Sequence, residues 1–171
     1  AALLAEYAPR IVAATQPAHI LELGSGTSRK TRHLLDAIAG AGLTSTYWPF
    51  DVCAAIVEQA ASDLLARYPW LTVQALAGDY HAGLGNLPNP PGRRLFVFLG
   101  GTIGNFTHDE AVIFLHELRE HMEAEDALLL GADRVKHPDI LEAAYNDRAG
   151  MTAAFNLNLL RVLNRELGAD F

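Results

Sequence analysis

The sequence predicts a doubly wound α/β fold: a mostly parallel sheet with helices on both faces. Three observations predict it. Apolar segments of strand length alternate with helically periodic segments five times, an order that right-handed crossovers wind into one sheet. The fourth strand segment, RRLFVFLG (93–100), is almost continuously apolar, as a strand covered on both faces must be. Several strands end in glycine or aspartate, where sheets of this kind bind ligands.

In chain order, AALLAEYAPRIVAAT reads as a helix that turns Leu4, Ile11 and Val12 inward. HILELG is a short strand ending in glycine. Residues 28–39 have helical spacing in Leu34, Leu35 and Ile38. STYWPFD is a second strand ending at Asp51, and a helix over 53–67 follows through Ile56, Val57, Ala60, Leu64 and Leu65. LTVQALAGD is a third strand ending at Asp79. Residues 80–92 are rich in Gly, Pro and Asn and read as a loop. After the fourth strand, Thr107 and Glu110 have capping-box spacing and open a helix over Val112, Leu115, Leu118 and Met122. DALLLGAD is the fifth strand. Helices at about 138–148 and 151–167 follow, the last closed by Gly168.

The 171 residues suggest one domain, and half of them are hydrophobic, enough for a substantial core. Formal net charge is −7, from 13 basic and 20 acidic side chains, which argues against gripping a nucleic-acid backbone. Cys53 is the single cysteine, so no intramolecular disulfide forms; this suits a reducing cytoplasm. No run approaches ~18 apolar residues, so no membrane span is expected. The N-terminus shows no signal-peptide pattern, and a first residue of Ala1 suits a processed or excised piece. The seven histidines form no i, i+4 pair on an expected helix and Cys53 stands apart, so no metal site is expected. A hydrolase nucleophile elbow, G-x-S-x-G, does not occur.

The strand ends carry the chemistry. In ELGSGTSRK, Gly24 and Gly26 permit a tight turn and a close approach to a ligand, and the helix behind them offers free N–H groups to an anion. The dinucleotide spacing G-x-G-x-x-G fails because Arg29 takes the third position, which weakens a nicotinamide-dependent oxidoreductase reading. Asp51, 27 residues after Gly24, can accept two ribose hydroxyls; alternatively it caps the next helix. Asp79 can accept from an exocyclic amine and Tyr80 can lie against an adenine face; alternatively GDY only ends a strand. No phosphate cradle of the G-x-x-x-x-G-K-[ST] type is present. A nucleoside without phosphates points to S-adenosylmethionine (SAM), with its carboxylate near the glycine turn and Lys30.

ELGSGTSRKTRHLLDA, PFDV, GDY, FLGGTIGNF, LLLGADRVKHPDILEAAYND and GMTAAFNLNLLRVLNRELGADF, in this order, resemble the histidine-specific, SAM-dependent methyltransferases of ergothioneine biosynthesis. The similarity runs through nearly the whole chain, and FLGGTIGN and AAFNLNLL are specific to it. The resemblance implies a Rossmann-like core, α-amino methylation of histidine to hercynine, and S-adenosylhomocysteine as product. It implies cofactor contacts for Gly24, Gly26, Lys30, Asp51, Asp79, Tyr80 and the Gly100 carbonyl. It gives Asn105 to the amino and carboxylate groups of the substrate, and Tyr145 to the carboxylate. Tyr80 stands where the family commonly has Phe. No general base is identified.

Members of the family also carry an N-terminal segment and a long C-terminal part that complete a substrate domain and the sheet. The expectation is therefore a SAM-binding core spanning 1–171, truncated after the fifth strand, with residues from about 143 leading into the substrate domain. SAM binding survives in such a core, whereas histidine specificity rests on the missing parts. Two alternatives stand beside this: a non-catalytic or partner-dependent SAM-binding module, and an enzyme for another histidine-like amino acid. An uncovered edge at DALLLGAD would also make the chain self-associate.

Overall fold

A computed structural model describes residues 2–79, 84–85 and 87–171. Of the expected 80–92 loop, Tyr80, His81 and residues 82, 83 and 86 lie outside the described residues. The chain divides into two units, one ending at Asp133 and the other running Arg134–Phe171.

The first unit is the expected sheet with its helices. It contains α1 (Ala2–Thr15), β1 (His19–Leu23), α2 (Arg32–Gly40), β2 (Thr46–Asp51), α3 (Ala54–Arg67), β3 (Thr72–Val73), β4 (Leu76–Ala77), β5 (Arg94–Phe98), α4 (His108–Glu120) and β6 (Ala127–Leu130). Strand order is β3-β2-β1-β5-β6, with β4 also on β2, and every pairing is parallel. The chain winds outward from β1 to β3 and β4, then returns to β5 on the other side of β1. That reversal puts the switch point between β1 and β5, with the carboxyl ends of both beside it.

The pleat explains the two cores. On one face Ile20, Tyr47, Leu95 and Val97 pack with Ala8 and Val12 of α1, Leu34, Leu35 and Ile38 of α2, and Leu64 of α3. On the other, Leu21, Leu23, Phe96 and Phe98 meet Phe114 and Leu118 of α4. All five residues of β5 are buried, as its unbroken apolar run predicts.

Several details differ from the sequence reading. The helix expected from residue 28 begins at Arg32, because Ser28 adopts the left-handed region (φ +53). The third strand is two short pieces in one register, Thr72 opposite Thr46 and Leu76 opposite Phe50. The gap lies opposite Pro49, which has no N–H to give the ladder. Val57, Ala60 and Leu64 are buried in α3, but Ile56 and Leu65 face solvent. In α4 the buried stripe centres on Phe114, whose ring lies 5.0 Å from Phe98 and 5.3 Å from Phe106, so Val112 is exposed.

The second unit holds α5 (Pro138–Tyr145) and α6 (Met151–Leu167). Gly150 and Gly168 flank α6 in the left-handed conformation, at φ +69 and +64. Neither helix contains a buried residue.

Candidate active site

The turn after β1 is held from two sides. Gly24 and Ser25 donate their N–H groups to the Phe50 carbonyl at 2.8 and 3.1 Å. Gly26 N–H donates to Asp51 Oδ2 at 2.8 Å, and Cys53 N–H donates to Asp51 Oδ1 at 3.1 Å. Gly24 (φ +67) and Gly26 (φ +49) take conformations that side chains disfavour, and a Cβ on Gly26 would point into open space. The backbone here is bare, and the cleft above it is open. Each Asp51 oxygen spends one lone pair on the backbone and keeps another for a ligand. The residue at the N-cap position of α3 is Cys53, so Asp51 is not the cap. Asp79 follows β4, which pairs with Phe50 and Asp51, so the two aspartates end neighbouring strands.

Lys30 crosses from this turn toward β5. A Cβ on Gly100 would lie 2.8 Å from Lys30 Nζ, so the ammonium would have to move aside, and the positive φ of +92 itself favours glycine there. Lys30 and Leu99 line both the cleft over Gly24 and Gly26 and a second cleft of about 560 Å³ bordered by α1, Gly100, Gly101 and Asp133. That volume suits a small organic ligand. Beyond Gly101 the chain makes a 3-10 turn over Thr102–Asn105. Asn105 is exposed at its end, and Thr107 caps α4 instead. The side chain of Asn105 therefore has no local capping duty.

The first unit thus gathers Gly24, Gly26, Lys30, Asp51, Asp79, Gly100 and Asn105 at the carboxyl ends of its strands. Tyr80 lies outside the described residues. Tyr145 belongs to the other unit, at the last residue of α5, with 75% of its surface exposed.

The sequence reading passed over the group beneath the turn. Glu22 is buried, and burial pushes its carboxyl up to about 7, against hydrogen bonds from Thr31 and Tyr47 and the charge of Lys30; Asp51 adds to the rise. Its signal was visible as one ionisable residue in the apolar strand HILEL. Ser25 Oγ is also buried, without a hydrogen-bond partner, and borders the cleft. Among the described residues, no three His, Cys, Asp or Glu side chains are grouped to hold a metal.

The family model described as "Histidine-specific methyltransferase, SAM-dependent" matches residues 1–171. The histidine N-alpha-methyltransferase of Mycolicibacterium smegmatis is 47% identical over 171 residues, covering 100% of this chain and 53% of that protein. Ergothioneine biosynthesis protein 1 of Neurospora crassa is 33% identical over 154 residues, 88% of this chain and 18% of that protein. A crystal structure of a putative methyltransferase from Bacillus halodurans aligns with a TM-score of 0.55 at 17% identity, over 83% of this chain and 56% of that one, a likeness of fold. The chain spans about half the length of the Mycolicibacterium relative.

Proposed function

The chain belongs to the SAM-dependent, histidine-specific methyltransferase family, and from that premise we propose that it carries the methyl-donor site of an enzyme that methylates the α-amino nitrogen of histidine, in ergothioneine biosynthesis. The observation that carries the proposal is the joined arrangement of the glycine turn, Asp51 and Lys30 beside Gly100.

The residues present fit SAM. Asp51 keeps lone pairs for the two ribose hydroxyls while the Gly26 and Cys53 amides fix its carboxylate. Asp79 takes the adenine amine, and Tyr80 is assigned to the adenine face. Gly24, Gly26 and Lys30 take the amino-acid end, where the unpaired Ser25 hydroxyl offers one more polar group. The Gly100 carbonyl takes the ammonium. When bound, SAM supplies a methyl group on a sulfonium, already activated for transfer to a neutral amine. The protein's share is then proximity and orientation. Asn105 holds the substrate's amino and carboxylate groups, and Tyr145 the carboxylate. Residues from about 143 serve the substrate domain. The negative charge and single cysteine favour a small-molecule substrate and a cytoplasmic setting. Among the described residues, no helix is long and apolar enough to cross a membrane.

A second reading is a SAM-binding module that needs a partner for turnover. The observation favouring it is that Tyr145 sits in a unit whose helices bury nothing. Titration calorimetry with SAM, followed by a methyl-transfer assay with histidine, separates the two. The enzyme reading expects binding and histidine-dependent S-adenosylhomocysteine; the module expects binding alone. No SAM binding rejects both. In the active form, Asn105→Ala should raise the KM for histidine far more than the Kd for SAM, and equal losses would refute that division of roles.

A further inference from the structure

We infer that Glu22 and Tyr47 form a buried clamp that positions the turn over residues 24–31, and with it Lys30, for the amino-acid end of SAM; the inference rests on reading that turn as the SAM site. Glu22 lies on the last turn-facing position of β1 before Leu23, and Tyr47 lies opposite Ile20 on β2. Both side chains share the face covered by α1, α2 and α3 and are buried there. Glu22 Oε2 accepts from the Tyr47 hydroxyl and, at 2.5 Å, from Thr31 Oγ1. A phenol has one proton, and here it goes to the carboxylate. The 2.8 Å contact between Tyr47 and Ser28 Oγ is then filled by the serine's own proton. The carboxylate therefore reaches two points of the turn from below, Ser28 through the phenol and Thr31 directly.

Two local costs show that these contacts override ordinary chain preferences. Ser28 sits at φ +53, in the left-handed region that a residue with a Cβ disfavours. Thr31 stands at the N-cap position of α2 with helical backbone angles (φ −65, ψ −22), and its hydroxyl makes no capping bond but goes to Glu22. Strain of this kind persists only where surrounding structure enforces it, and it gathers at functional turns. Lys30 is flanked by the residues so held: Ser28 on one side and Thr31 on the other. Its exposed side chain, which runs to Gly100, starts from a backbone fixed by buried hydrogen bonds. Glu22 and Tyr47 are positioning residues, acting on the cofactor through the turn.

The test uses the full chain, calorimetry, and two ligands, SAM and 5′-methylthioadenosine, which has the nucleoside but no amino-acid end. Tyr47→Phe removes the hydroxyl and keeps the ring. Ser28→Ala breaks the link through the phenol and leaves the Glu22 contacts with Tyr47 and Thr31 intact. Each should weaken SAM about tenfold, the loss of a buried hydrogen bond, while 5′-methylthioadenosine changes less than about twofold. Glu22→Gln, which can still accept from both hydroxyls, should restore most SAM affinity relative to Glu22→Ala. Equal weakening of both ligands would reduce the network to a purely structural one and overturn the inference. So would unchanged SAM affinity in both Tyr47→Phe and Ser28→Ala. Wild-type chain that binds 5′-methylthioadenosine but not SAM, or neither, would instead strike the SAM-site reading beneath it.

Discussion

Asp51 shows how one residue is fixed before any ligand arrives. Its two oxygens each receive a backbone N–H, at 2.8 and 3.1 Å, so the carboxylate is already oriented for the ribose role proposed for it. In that proposed role Asp51→Ala would remove two charge-assisted bonds to the ligand, each worth roughly 1.5–3 kcal/mol, and would also release the Gly26 amide. Calorimetry should show SAM affinity falling by about a hundredfold or more; unchanged affinity would reject the ribose role. Glu22 makes a separate prediction about stability. Its folded carboxyl titrates near 7, raised from 4.5 chiefly by burial. The folded state therefore holds the proton more tightly than the unfolded state. The stabilising contribution is complete below 4.5 and is lost as pH rises through 7, with an amplitude on the order of 3 kcal/mol. Glu22→Gln should flatten that part of the stability profile, measured by denaturant unfolding between pH 4.5 and 8. An unchanged slope would mean Glu22 is not the group responsible.

At the scale of elements, the capping box at Thr107 is the most legible feature. Glu110 N–H donates to Thr107 Oγ1 at 3.3 Å, and Thr107 N–H donates to Glu110 Oε2 at 2.7 Å. This pair starts α4 directly after the turn that ends at Asn105, so the cap also sets where that turn stops. Thr107→Ala should cost about 1 kcal/mol, seen as a lower melting temperature with SAM affinity little changed. A loss of SAM affinity larger than the loss of stability would give Thr107 a binding role. Other element boundaries were less legible. The start of α2 at Arg32 follows the left-handed Ser28, which contacts Tyr47 19 residues away, so local helical spacing placed it at 28. The break between β3 and β4 reflects Pro49 on the neighbouring strand, and no periodicity within 71–79 records it.

At the scale of the whole molecule, β6 lies at one edge of the described sheet. Among the described residues β6 pairs with β5 alone, and Leu128 and Leu130 are 36% and 37% exposed. In the other unit, Phe155, Leu157 and Leu159 of α6 are all more than half exposed. Open strand edges and apolar surface recruit partners. The purified 171-residue chain should therefore self-associate, with a sedimentation coefficient that rises with concentration. A concentration-independent monomer would show that this edge is tolerated as it stands.

The sequence by itself determined the order of strands and helices, the burial of β5, the cap of α4 and the strand ends where a ligand would sit. Each of these is written in contiguous residues: a period, a cap spacing, a glycine after an apolar run. It also carried the motifs that place the chain in its family. Tertiary structure decided what depends on pairs far apart in the chain. It brought Asp51 onto the Gly26 amide, 25 residues away, and laid Lys30 against Gly100. It buried Glu22 beneath the turn, where loss of water raises its proton affinity and two hydroxyls come within hydrogen-bond reach. Such contacts follow from strand pairing and packing, which set distances that sequence separation does not encode.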